Sequence, residues 1–203
     1  EKYGIDTARF FLLFVAGPDK DMEWSDQGVD GAFRFINRFI TLIEEGKMVA
    51  RIDAKEESRL HRTIRDATNH ITTLAFNKAL IEIMSFTDYL RDKESFSKKS
   101  AEALVLLMSP ITPHIAEELW EKLGKKQFSS LAKWPGYDEK KIKPELDAED
   151  NFVDKVRADV HNLLPLLKFT PKQFTLIISP EWKYTLFTKL KTELEKTRDM
   201  KAL

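Results

Sequence analysis

His114, Glu117 and Glu118 come closest in this chain to a metal-ligand set. An imidazole and a carboxylate three positions apart share one face of a helix, as they do around the metals of di-iron bundles. Those bundles use the pair twice and add two inward glutamates, and no second copy occurs here. The competing reading is a histidine at a helix start, followed by carboxylates placed where the helix dipole favours negative charge. The sequence has no glycine-rich phosphate loop, no nucleophile elbow and no His-Glu-x-x-His pair. With no cysteine it has no disulfide, thiolate ligand or thiol nucleophile, a usage that suits a reducing cytosol. These residues predict a chain without a self-contained active site.

The basic residues suggest binding instead. Lys55, Arg59 and Arg62 fall on one helical face with Arg65 adjoining; Arg34 and Arg38 form a similar pair beside Asn37 and Thr41; Lys98 and Lys99 sit at a helix start. Guanidinium groups at helical spacing suit a row of backbone phosphates and bring five donors each. The rival reading is a solvated face whose charges pair with Glu56, Glu57 and Asp66. The 33 basic and 33 acidic side chains cancel, so net charge favours neither nucleic acid nor an acidic membrane, and any such surface must be local. The 14 phenylalanines and 4 tryptophans could stack on bases, but most lie on apolar stripes and belong to a core. Trp24 and Trp134, each beside a turn signal, are expected to pack over the ends of a bundle.

Helices must position these groups. Glycine is sparse, at 7 of 203 residues, and no apolar run approaches the roughly 20 residues of a membrane span. A short helix is expected from Asp6 to Ala16, capped by Asp6 and ended at Gly17-Pro18. Ser25 opens a second, to about Glu45, with Val29, Ala32, Phe33, Ile36, Ile40 and Ile43 inward, and Gly46 stops it. From Lys55 to Leu74 the stripe Leu60, Ile64, Ala67, Ile71, Leu74 is unbroken. A helix from Asn77 to Arg91 buries Ala79, Leu80, Ile83, Phe86 and Leu90. Ala101 to Met108 is dense enough to be central, and Thr112-Pro113 starts a helix that Gly124 closes.

After Trp134-Pro135 the character changes. Residues 136–148 read as a solvated linker, and residues 149–203 as the start of a small α/β extension. In it Phe152, Val153, Val156, Val160 and Leu163 mark a helix, Phe174 to Ile178 a short strand, and Trp182, Leu186, Leu190 and Leu194 a last helix. Helix, strand and helix do not complete a sheet, so the tail pairs with something else or packs on the bundle. Glu1-Lys2-Tyr3-Gly4 has neither an initiator methionine nor a signal-peptide pattern, which predicts a piece of a longer protein.

Several segments resemble class I aminoacyl-tRNA synthetases. EKYGIDTARFFLLF, from Glu1 to Phe14, is similar to the stretch after the family's lysine-rich signature loop. GPDKDMEWSDQGVDGAFRFINRF, from Gly17 to Phe39, resembles the leucyl-tRNA synthetase version, with a Glu-Trp-Ser turn before an Arg-Phe-x-Asn-Arg helix. AFNKALIEIM, LVLLMSPITPHIAEELWEKLG and SSLAKWP resemble the anticodon-binding helical bundle in the same order. The first segment and the Pro-x-x-Pro-His helix also suit valyl-, isoleucyl- or methionyl-tRNA synthetases, and a helical protein-interaction bundle is the reading outside this class. The tail departs from the bacterial form, and IISPEWKYTLF, from Ile177 to Phe187, looks more like an archaeal-type extension.

The resemblance implies a mainly α fold: an anticodon-binding bundle over residues 1–135, then the linker and the partial α/β extension. It implies a cytoplasmic tRNA-binding piece of a ligase, inactive alone, with leucine-accepting tRNA and the upstream catalytic domain of the same protein as partners. No cofactor is implied for this piece, whereas ATP and magnesium are implied for the full enzyme. Arg34, Asn37 and Arg38 match the family motif. Arg59, Arg62, Lys98 and Lys99 are candidates from spacing alone.

Overall fold

A computed structural model describes residues 2–17, 20–167, 169 and 171–196, in two compact units, Glu1–Val153 and Asp154–Leu203. The first unit holds α1 (Ile5–Val15), α2 (Asp26–Glu45), α3 (Ala54–Thr72), α4 (Phe76–Arg91), α5 (Lys98–Met108) and α6 (Pro113–Lys122). α3 and α4 lie along one another as a helical hairpin, α1 and α2 pack on α4 and α6, and α5 packs on α3, α4 and α6. The fully buried side chains include Phe10, Phe35, Phe39, Leu60, Ile64, Leu80, Ile83, Leu90, Phe96 and Leu104. No described helix is long and apolar enough to cross a membrane.

Hydroxyl and carboxylate caps start the helices as their residue types suggest. Ser25 accepts the Gly28 N–H at 3.2 Å, Asp53 that of Glu56 at 2.8 Å, and Ser97 that of Ser100 at 3.1 Å. Asp6 corrects the expectation, because α1 begins with Gly4 as its cap and Asp6 lies inside the first turn. The buried Asp6 carboxylate instead accepts the Ile115 N–H at 2.9 Å and so caps α6, whose own Thr112 makes no side-chain cap bond. The second half of the expected stop after α1, Pro18, lies outside the described residues.

α4 buries all five residues its spacing assigns to the core. α2 is turned relative to its predicted face: Phe35, Phe39 and Leu42 are buried, while Phe33 and Ile40 are half-buried. The cause is an apolar arc wider than one stripe, because Phe10 of α1 stacks on Phe35 at 5.1 Å and draws that side inward. Gly46 ends α2 without a left-handed residue; a Cβ there would meet the Leu42 carbonyl and the Phe96 ring at 2.3 and 2.6 Å. Just beyond it, β1 (Met48–Val49) pairs in parallel with β2 (Phe96–Ser97), tying the end of α2 to the start of α5.

α3 ends at Thr72, before the predicted Leu74. Ala75 N–H reaches the His70 carbonyl at 2.8 Å and Leu74 N–H that of Ile71 at 3.0 Å, a Schellman ending that puts Leu74 at φ 58. A left-handed leucine costs about 1–2 kcal/mol, and this one is 55% exposed, so its side chain returns little. Leu74→Gly is therefore expected to stabilise the protein by about 0.5–1 kcal/mol, after allowing for glycine's freedom in the unfolded chain. Urea unfolding measures it, and a destabilised variant would mean the Leu74 side chain makes a contact worth more than the strain.

The second unit contains the end of α7 (Pro144–Leu163), a 3-10 turn at Leu164–Leu166, and α8 (Glu181–Lys196). The expected strand at Phe174 to Ile178 is not formed, which is a correction: residues 173–180 have no regular secondary structure. Strand propensity needs a neighbouring edge to satisfy its N–H and C=O groups, and among the described residues none pairs with this segment. The apolar positions of its helices, Val156, Val160, Leu163, Trp182, Leu186 and Leu190, are not buried, and the Leu194 side chain lies outside the described residues.

Candidate nucleic-acid interface

Ion pairing separates the basic candidates into two groups. On α2, Arg34 and Asn37 are exposed and Arg38 half-buried, with the Arg38 guanidinium over the buried Phe35 ring, 5.8 Å from its centroid. Arg38 Nε is buried without a hydrogen-bond partner, and among the described residues neither arginine has a salt-bridge partner. The α2 pair thus presents, among the described residues, two guanidinium groups without a carboxylate partner one helical turn apart, on a helix whose other side is core.

On α3 the arginines are committed, and of the partners the rival reading names only Asp66 takes one of them, Arg65. Arg62 pairs closely with Asp147, and Arg59 Nε lies 3.6 Å from the same carboxylate while its guanidinium sits 4.2 Å over the Tyr89 ring. Arg65 bonds Asp66 at 2.7 Å and Glu139 at 3.2 Å. Glu57 takes Lys141 at 2.6 Å, and that hydrogen bond holds its carboxyl below the usual range. Lys98 and Lys99 are exposed in the first turn of α5.

The residues read as a solvated linker are docked on α3. Asp138 N–H donates to His61 Nδ1 at 3.0 Å, Lys143 N–H to Ser58 Oγ at 2.8 Å, and just upstream Trp134 Nε1–H to Thr68 Oγ1 at 2.9 Å. Composition hides this because the partners are polar and lie 66 to 85 residues away in sequence. Trp24 packs edge-on against Phe11 at 5.3 Å and bonds Asp26, and both exceptional tryptophans remain exposed.

His61 accepts through Nδ1, which requires the neutral ring. Burial, then the nearby Lys99 and Lys141, hold its pKa below the usual value against the opposing pull of Glu57 and Asp138. The unfolded chain therefore binds the extra proton first, so stability is present above about pH 6.5 and falls as pH drops below it toward the folded pKa. His61→Asn, with an amide oxygen to accept from Asp138, should flatten the fall in urea midpoint between about pH 7.5 and 5.5. An unchanged pH dependence would assign it to other groups.

The imidazole–carboxylate cluster disperses. His114 Nδ1 lies 2.9 Å from Asp6, Glu117 accepts the N–H groups of Ser129 and Ser130 at 2.6 and 3.0 Å, and Glu118 pairs with Lys122 at 3.3 Å. Among the described residues no group of three His, Asp or Glu is placed to hold a metal ion.

Two cations escaped the search by spacing. Lys47 and Arg91 join Asn37, Arg38 and Thr41 around a cleft of about 560 Å³ between the end of α2 and the end of α4. They come from a loop and a different helix, so no helical period could have grouped them with Arg38. Arg91 is bonded to Asp88 at 2.9 Å, and Lys93 on the same rim is taken by Asp53 and Glu56.

Comparison with known proteins bears on the family and the fold. Residues 53–173 match the family model of the anticodon-binding domain of tRNA ligase. A leucine–tRNA ligase of Geotalea daltonii is 38% identical over 166 residues, covering 68% of this chain and 19% of the relative. That of a Synechococcus species is 40% identical over 151 residues, covering 68% and 18%. The chain thus spans about a fifth of the length of these curated relatives. Among solved structures, the ternary complex of Agrobacterium radiobacter LeuRS with tRNA and LeuAMS shares the fold with a TM-score of 0.58, at 23% identity over 70% of this chain and 20% of that one. With its family model matched over more than half of its residues, the chain belongs to the anticodon-binding domain family of tRNA ligases.

Proposed function

We propose that this chain is the tRNA-binding bundle of a cytoplasmic leucyl-tRNA synthetase, holding leucine-accepting tRNA while the rest of the protein attaches leucine. The observation that carries the reading is the α2 pair, Arg34 and Arg38 beside Asn37, free of salt bridges among the described residues in a family member whose similar relatives are leucine–tRNA ligases. Planar forked donors of fixed charge suit phosphate oxygens, and contacts of that kind hold the duplex without reading its sequence. Residues 1–135 would form the binding unit.

Activation of leucine falls to parts of the protein outside this chain. The residues present do not fit an ATP and magnesium site, since no phosphate loop occurs in the sequence and the described carboxylates are dispersed. The outer face of α1 supports contact with an upstream catalytic domain of the same protein. Ile5, Leu12 and Val15 share that face and are 63, 45 and 45% exposed. Apolar groups so grouped favour burial against another surface. The deciding experiment is salt-dependent tRNA binding by the protein and by an Arg34→Ala/Arg38→Ala variant.

A further inference from the structure

We propose that the arginine row of α3 is a second RNA-backbone site, occupied in the free protein by the chain's own acidic strap, residues 138–147. The inference rests on the tRNA-binding reading above. Arg59, Arg62 and Arg65 stand three residues apart, about 4.5 Å along the helix axis at each step. Asp147 faces the first two and Glu139 the third, so two carboxylates stand where anionic phosphates would be received. The sequence carries the matching signal, a basic row at helical spacing in which Asp66 takes only Arg65 and the other nearby acids are engaged elsewhere. Glu56 goes to Ser97 and Ser100, and Glu57 goes to Lys141.

The strap is held by means that can be undone. None of residues 136–149 whose exposure is described is buried, and its apolar side chains Ile142 and Leu146 are only half-buried. Among the described residues its polar attachments are the hydrogen bonds to His61 and Ser58 and the ion pairs of Glu57, Arg59, Arg62 and Arg65. Segments with few buried apolar contacts open at a small fraction of the global unfolding free energy. A polyanion competes well for such a surface, because each phosphate neutralised releases counterions that a carboxylate on the same chain does not. Opening leaves α3 intact, since Leu60, Ile64 and Ala67 keep its other side in the core.

The test uses the full-length protein and tRNA in a salt titration of binding. Asp147→Asn removes the competing charge at nearly constant shape, and tRNA binding is expected to tighten about three- to tenfold. The slope of log affinity against log salt should steepen by about one to two phosphates. Adding Arg59→Ala and Arg62→Ala should abolish the gain. In the unaltered protein, hydrogen exchange at the Asp138 and Lys143 amides should accelerate when tRNA is bound, a readout that needs no variant. Unchanged or weaker binding by Asp147→Asn, or equal protection of those amides with and without tRNA, overturns the proposal. The Arg34→Ala/Arg38→Ala variant separates the two readings. If it weakens binding while Asp147→Asn gives no gain, the tRNA reading stands and the strap is only a fastener; if no variant alters tRNA binding, both readings fall.

Discussion

Glu56→Ala is expected to destabilise the first unit by about 3–5 kcal/mol, the cost of removing one member of a buried ion pair. Glu56 is 1% exposed, and both of its carboxylate oxygens are engaged. One oxygen accepts the Ser97 N–H at 2.8 Å and the Ser100 hydroxyl at 2.7 Å, and the other lies 3.2 Å from Lys93. Alanine would leave a buried N–H, a buried hydroxyl and a largely buried ammonium without that partner. It would also remove a carboxylate that bonds the start of α5, whose own first turn holds no acid and where Lys98 and Lys99 oppose the helix dipole. Because Ser97 belongs to β2, the loss should spread to the β1–β2 pair and so to the end of α2. Glu56→Gln keeps one acceptor and the shape, and should cost less, about 1–2 kcal/mol. Urea unfolding of both variants decides it. Equal, small losses would mean that water replaces the carboxylate and that the α5 start is held by Ser97 alone.

Glu56 also marks the limit of what the sequence reveals. In the sequence it is an acid in the first turn of a helix, indistinguishable from Glu57, and the simplest reading pairs it with the arginines next to it. Its real partners are 41 and 44 residues away, brought there by the α3–α4 hairpin. Asp6 has the same history: local rules make it the cap of α1, whereas packing carries it to the start of α6, 109 residues on. Periodicity does better where one stripe meets one neighbour, as on α4, and worse on α2, where aromatic residues cover more than one face and tertiary contacts choose among them. Phe174 to Ile178 shows a third kind of limit, since strand propensity cannot state whether an edge exists to receive it. In the candidate interface, helical spacing correctly grouped Arg34 with Arg38 and Arg59 with Arg62. It could not show that only the second pair meets an acid from the strap, nor bring in Lys47 and Arg91 from other elements.

The expected loss on converting both Arg34 and Arg38 to alanine is about tenfold or more in tRNA affinity near 0.1 M salt, with the salt slope lowered by about one to two phosphates. Stability should change little. Arg34 is exposed, so its removal exposes no core, and half-buried Arg38 gives up the contact of its guanidinium with Phe35. A combined cost below about 1.5 kcal/mol follows from surface truncation plus some lost packing. That separation between binding and folding is what makes the pair informative, because the α3 arginines cannot be cut without also releasing Asp147. The loss should be similar for leucine-accepting and other tRNAs, since phosphate contacts carry no base information. Asn37 offers a further distinction: its amide can both donate and accept, so Asn37→Ala should weaken binding with the salt slope unchanged if it meets a ribose hydroxyl or a base edge. Filter binding across a salt series, with both kinds of tRNA, gives every slope. A double variant with an unaltered slope would remove α2 as the phosphate-binding face, and a loss confined to leucine-accepting tRNA would mean that these arginines read identity instead of holding the backbone.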